Sequence, residues 1–281
     1  MKNERLIQDF MNILDNENLN ENDIQDFLEI NTELIPIPYI LGHQVNFSAV
    51  ISKLVISDGL KSDFVYMTKC SDFWEVVLIE LEDSKKKIFN SNMENIQFSQ
   101  KFNNAYDQIT SWKAYIEDNK EIFLRKINTL KRPLERNPVR VKYVLVIGRN
   151  DEKDNSERKI SMFAQKNTDD IRVITYDSVI SMYQKSNIVN KKMILSPWRD
   201  GGFSIKYFPE DLTTSIFAHL KPDELKVSPN IKEVLKKQDY EIENWLKGNL
   251  LVYNCKYDAE TFSKKSSSLL ARAVATMDIK R

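Results

Sequence analysis

The sequence predicts an α/β fold, a mixed sheet flanked by helices, followed by a C-terminal α+β extension. Three observations predict it. Trp74–Glu82 (WEVVLIELE) contains the apolar run Val76–Ile79, rich in β-branched residues and apolar on both parities. Such a run marks a strand covered on both faces, as in the middle of an α/β sheet. Upstream, Lys53–Ser57 (KLVIS) and Asp63–Lys69 (DFVYMTK) read as strands around an Asp58-Gly59 turn, so the three form a meander. Downstream, Tyr143–Ile147 (YVLVI), a short helix over Arg158–Gln165 and Ile171–Tyr176 give strand, helix, strand. That spacing implies a crossover and a parallel pair.

The remaining elements follow in order. Leu6, Phe10, Ile13 and Leu14 recur at helical spacing and predict a docking helix over 4–14. A second helix runs from Asn20 or Glu21 to about Leu34, striped by Ile24, Phe27 and Leu28, and Pro36 and Pro38 stop it. Residues 39–50 are weakly patterned. From about Ser99 to Ile127 a long helix carries Phe102, Ala105, Ile109, Trp112, Ile116 and Phe123 at spacings near three and four. Asp177 is expected to cap a helix reaching Lys185. Beyond residue 186 the texture changes. Short strands are expected at Met193–Leu195, Phe203–Phe208 and Leu250–Cys255, and helices at 210–220, 230–237, 239–247 and 258–277. The division read from this is 1–19 as an N-terminal helix, 20–186 as the main domain and 187–281 as an extension for assembly or regulation.

Composition narrows the function classes. The 281 residues hold 41 basic and 41 acidic side chains, for a net charge of zero. Bulk electrostatics therefore favours neither nucleic acid nor membrane, and any such argument rests on local patches. Cys70 and Cys255 are the only cysteines. Two residues so far apart in sequence exclude a disulfide framework or a cysteine zinc site and fit a reducing cytoplasm. No apolar stretch is long enough to span a bilayer. His43 and His219 stand alone, which leaves out a histidine metal site or a Ser-His triad. Trp198, Arg199 and Asp200 sit in a turn cluster, SPWRDGG, readable as a pocket lining but explained more cheaply by turn chemistry.

The chemistry concentrates at the end of the central strand. Glu80 and Glu82 point to one side, and an antiparallel neighbour brings Asp63 close to Glu80. Buried carboxylates cost desolvation energy unless a cation or donors meet them. Three of them at a sheet edge are hard oxygen ligands suited to Mg²⁺ or Mn²⁺. The competing reading is a solvated strand end. Lys85, Lys86 and Lys87 follow the acids, as a solvated turn or as a phosphate contact. Arg125, Lys126, Lys131, Arg132, Arg136, Arg140 and Lys142 face the single acid Glu135 across 125–142, a basic patch or a solvated loop.

Helix, meander, helix and strand, with acids on the second and third strands, resembles the PD-(D/E)xK (restriction-endonuclease-like) core. Within that superfamily the chain is similar to the nuclease domain of Shedu antiphage defence proteins. The residues carrying the likeness are Glu21–Ile35, Ser62–Phe64, Trp74–Glu82 and Ala105–Tyr115, with Val146–Arg149 (VIGR) and Thr175–Asp177 (TYD) in further agreement. The resemblance covers residues 20–185. It implies Asp63 and Glu80 as metal-binding acids, Glu21 as the helix acid behind the metal, and Gln108 and Trp112 as a glutamine-plus-aromatic helix motif. It also implies that Arg149 and the 125–142 patch, Arg132 and Arg136 within it, meet a DNA backbone, to which Lys85 of the lysine run would add its phosphate contact, and that the protein is a homo-oligomer.

One departure stands out: Glu82 occupies the motif's lysine position. A glutamate can bind metal or accept a proton from water, but it offers no positive charge. The implied activity is metal-dependent endonucleolytic hydrolysis of DNA in defence against phage or other foreign DNA. The alternative is a degenerate module that binds nucleic acid or protein without cutting.

Overall fold

The computed structural model describes residues 4–42, 44–90, 95–186, 190–199 and 201–278, with side chains up to Ser268. His43, Asp200 and residues 187–189 of the polar stretch lie outside the described residues.

Two helices open the chain, α1 (Glu4–Asp15) and α2 (Glu21–Ile30). Asn20 starts α2 through a capping box: its side chain accepts from Asn22 N at 2.8 Å, and its own N–H donates to Asp23 at 2.8 Å. This reciprocal bonding satisfies donors that a helix start leaves open. The meander follows as β1 (Ala49–Ser57), β2 (Leu60–Lys69) and β3 (Trp74–Leu81). Then come α3 (Gln100–Asp118), α4 (Lys120–Arg125), β4 (Val139–Val146), α5 (Asp151–Asp154), α6 (Glu157–Gln165), β5 (Ile171–Ile174) and α7 (Tyr176–Lys185). The chain closes with β6 (Met193–Trp198), β7 (Gly202–Tyr207), β8 (Leu225–Lys226), α8 (Pro229–Lys237), α9 (Ile242–Leu246) and α10 (Ala259–Asp278).

All eight strands belong to one mixed sheet, ordered β5-β4-β3-β2-β1-β6-β7-β8. β3 is central and wholly buried, as its apolar run predicts. Its alternation divides two cores. Trp74, Val76 and Leu78 pack with Phe102, Ile109 and Trp112 of α3, whereas Val77, Ile79 and Leu81 pack with Phe10 of α1, Ile24 and Leu28 of α2 and Val179 of α7. The β4–α6–β5 crossover gives a parallel pair, as the spacing requires. β6 pairs in parallel with β1, so strands from beyond residue 186 extend the sheet of the meander.

Several expectations are corrected. β1 begins at Ala49, earlier than Lys53. The expected helix 99–127 breaks at Asn119, whose N–H and side-chain amide both donate to Tyr115 O and close α3. No helix fills 210–220; Asp211 takes φ +62°, and one 3₁₀ turn, Ile216–Ala218, stands there. Leu250–Cys255 is not a strand either. Asn254 and Cys255 both have positive φ, and a turn joined by a single Tyr253–Tyr257 bridge replaces it.

Candidate functional site

The site lies where β2 and β3 meet the start of α2. β2 and β3 pair antiparallel with Phe64 opposite Ile79, and the next step of that register sets Asp63 across from Glu80. Both are buried, at 5% and 6% exposure. The Leu81 N–H donates to Asp63 Oδ2 at 2.8 Å, and Lys53 Nζ donates to Asp63 Oδ1 at 2.7 Å. Glu80 Oε1 accepts from Gln108 Nε2 of α3, while Glu80 Oε2 is buried with no hydrogen-bond partner. Trp112, one turn further along α3, packs in the core.

Glu82 continues the line of β3, its N–H donating to Val146 O at 2.9 Å. Its carboxylate is ion-paired with Lys86, whose ammonium also stands 3.8 Å from Glu21 Oε2. The buried Tyr176 hydroxyl donates to the Glu82 carbonyl at 2.7 Å. Glu21 heads α2 and faces the same cluster. Burial and the Asp63 charge push its carboxyl up, against Lys86 and Lys53. For Glu80, burial comes first and the Asp63 and Glu21 charges add to it, so its carboxyl is pushed up to about 9. Lys53 and the Gln108 bond oppose this without cancelling it.

Asp63, Glu80, Glu21 and Gln108 are thus neighbours at this end of the sheet, and Glu82 is joined to Glu21 through Lys86. The expected phosphate contacts are placed differently. Lys85 donates to Asn16 O at 3.0 Å and to Leu19 O. Arg149 is held by Asp177 and Asp15. Arg132 spans Glu224, Glu135 and the His219 carbonyl. Only by breaking these bonds would the three cations turn to a DNA backbone, whereas Arg136 is exposed. Sequence reasoning missed Lys53 altogether and did not separate Lys86 from its neighbours.

Whether a divalent cation fits can be tested on the donors. Among the described residues, no three His, Cys, Asp or Glu side chains are gathered into a ready metal cage. Yet the donor chemistry suits Mg²⁺ or Mn²⁺. Asp63, Glu80 and Glu21 offer hard oxygens, and Glu80 Oε2 is buried with nothing to bond it. A carboxyl that holds its proton to about 9 because two carboxylates and burial surround it is one a cation would relieve. The donor type thus suits such an ion, while the acids stand apart from one another in the described structure.

The fold and the cluster define a class: an α/β protein whose mixed sheet presents buried acids at the ends of two adjacent antiparallel strands, backed by a helix carboxylate. The family assignment is narrower. The Shedu protein SduA C-terminal family matches residues 18–180, more than half of the chain and every acid of the cluster, and the chain belongs to that family of Shedu-type defence proteins. No curated protein matches the chain. No described helix is long and apolar enough to cross a membrane.

Proposed function

We propose that the chain is a metal-dependent DNA endonuclease of antiphage defence, with a restriction-endonuclease-like PD-(D/E)xK core. The observation that carries the reading is the buried Asp63–Glu80 pair with Glu80 Oε2 unpartnered. Asp63 and Glu80 would hold Mg²⁺ or Mn²⁺, with Glu21 behind them. When bound, the ion supplies Lewis-acid polarisation of the scissile phosphate and lowers the pKa of water. The protein's own residues do the rest. Gln108 fixes one Glu80 oxygen and leaves the other free to ligate. The Leu81 N–H and Lys53 orient Asp63. Lys86 brings a positive charge to Glu82, the position where the family motif carries lysine, and cancels the carboxylate that would otherwise repel the phosphate. Arg136 is exposed, but it precedes β4 beside Trp74, six strand residues or about 20 Å from Glu80, so any backbone contact it makes falls far from the acids.

A second reading has its own support. Lys53 already neutralises Asp63, Lys86 already neutralises Glu82, and among the described residues no three-ligand cage is preformed. A module that binds DNA without cutting it fits those facts. Plasmid incubated with the full chain and Mg²⁺ or Mn²⁺ separates the two. The nuclease cuts, and EDTA or Glu80→Ala abolishes cutting. Salt-sensitive retention of DNA with no cutting under either metal supports the binding module instead.

A further inference from the structure

Helix α2 buries a polar stripe beside its apolar one. Glu21, Gln25 and Glu29 recur every four residues and so share one face. Glu21 reaches the carboxylate cluster. Gln25 Nε2 donates to Ser52 Oγ and to the Asp63 carbonyl, each at 3.4 Å. Glu29 is 5% exposed; its Oε1 accepts from Ser52 Oγ of β1, and its Oε2 accepts from Lys206 Nζ of β7. A connected polar path therefore runs from β7, through β1 and α2, to the backbone of Asp63.

Apolar side chains would fill this space at less desolvation cost, so stability alone does not account for the stripe. Apolar packing tolerates small sliding and rotation, whereas hydrogen bonds fix direction. Glu29 sits two turns, about 12 Å, along the helix from Glu21, so a rotation of α2 at one end moves the acid at the other.

We propose that Glu29, with Lys206 and Ser52, are positioning residues that lock the rotation and height of α2 and so hold Glu21 beside Asp63. Through Lys206, the strands beyond residue 186 set the geometry of the site. The catalytic arm of the test rests on the nuclease reading; the exchange arm does not.

The test uses the full chain and the variants Lys206→Met, Glu29→Gln and their double, with Glu21→Gln as reference. Lys206→Met leaves the Glu29 charge buried without its cation. Amide exchange across residues 21–30 is expected to rise roughly tenfold or more while the β3 and β4 amides stay protected. The double variant removes both charges and is expected to restore α2 protection most of the way. Mn²⁺ affinity, read by calorimetry, is expected to weaken in Lys206→Met and to recover in the double. In cleavage, kcat falls and KM for DNA is unchanged, and in a Glu21→Gln background Lys206→Met has no further effect on kcat. Unchanged α2 exchange overturns the proposal. So does a rise shared equally by every amide, since that marks a general stability element. Multiplicative losses from Glu21→Gln and Lys206→Met also overturn it. If the wild type cuts no DNA, the nuclease reading fails, and the exchange results still decide this one.

Discussion

Lys53 sets the electrostatics of the cluster through an uncommon backbone. Its φ is +56°, in the middle of β1. Left-handed geometry at a residue other than glycine costs about 1–3 kcal/mol and marks sites where position matters more than stability. The consequence is visible in the core. Ala49 and Ile51 pack on the α3 side, and so do Leu54 and Ile56, so the alternation slips by one at Lys53. That slip leaves Ser52 facing α2 and turns the Lys53 ammonium onto Asp63. Nothing in KLVIS signals it, because a strand pattern is read on the assumption of unbroken alternation. The acids were legible for the opposite reason: Glu80 and Asp63 end apolar runs in which a charge is conspicuous. Glu82→Lys would face Lys86 with a second ammonium in a buried position, so cleavage is expected to fall by about tenfold or more rather than rise. The exchanged pair Glu82→Lys with Lys86→Glu is expected to recover part of it, and plasmid-cutting rates check both. Glu80 is raised from 4.5 to about 9 on folding. Between those values the folded chain keeps a proton that the unfolded chain has released. The stability from the protonated carboxyl is therefore complete below about 4.5 and lost as pH rises to about 9. Lys192, lowered to about 7 by burial, acts in the opposite sense above that pH, so the comparison is with a variant. Over that range the Tm of the metal-free wild type is expected to fall more than that of Glu80→Gln, by thermal melts in matched buffers.

Elements place these residues, and glycine decides one of them. Gly148 follows β4 with φ +64°, and a Cβ there would meet the Lys86 carbonyl at 2.9 Å and Ile88 Cγ1 at 3.0 Å. The turn that carries Lys86 can lie against the end of β4 only because that atom is missing. Gly148→Ala combines an unfavourable φ with a backbone clash, so a loss exceeding about 1 kcal/mol is expected in urea unfolding, together with weaker cleavage as Lys86 withdraws from Glu82. The VIGR stretch carries part of the family likeness, yet the sequence alone did not tie its glycine to a lysine sixty-two positions earlier. Long amphipathic helices and continuous apolar strands were legible, since α3 and β3 each repeat one signal many times. Short elements were not. Leu250–Cys255 has a strand-like composition, but its path is set by left-handed residues at 254 and 255 and by the packing of Leu251 under Phe217 O, which bonds its N–H at 3.1 Å.

At the scale of the molecule the question is what residues 187–281 contribute to the sheet. The texture change near 186 marks a C-terminal extension but leaves its independence open, because composition registers where a pattern stops and not where the next strand pairs. In the fold, β6 hydrogen-bonds to β1 from Ala49–Met193 to Ile51–Leu195, and β7 and β8 continue outward. Met193, Leu195, Phe203, Ile205, Leu225, Leu235 and Trp245 share one core with Val65, Leu78 and Trp112. Arg132 joins the two stretches again through Glu224. A chain cut after residue 186 would expose the open edge of β1 and the apolar face these residues cover. Unpaired edges beside apolar surface promote association between chains. The fragment 1–186 is therefore expected to be recovered as aggregate, although it contains the whole of the matched family segment and every acid of the cluster. Size-exclusion chromatography and circular dichroism of the fragment beside the full chain provide the check. A monodisperse fragment with native-like near-ultraviolet dichroism would mean that the sheet closes without β6, and that the Lys206–Glu29 link is dispensable for folding.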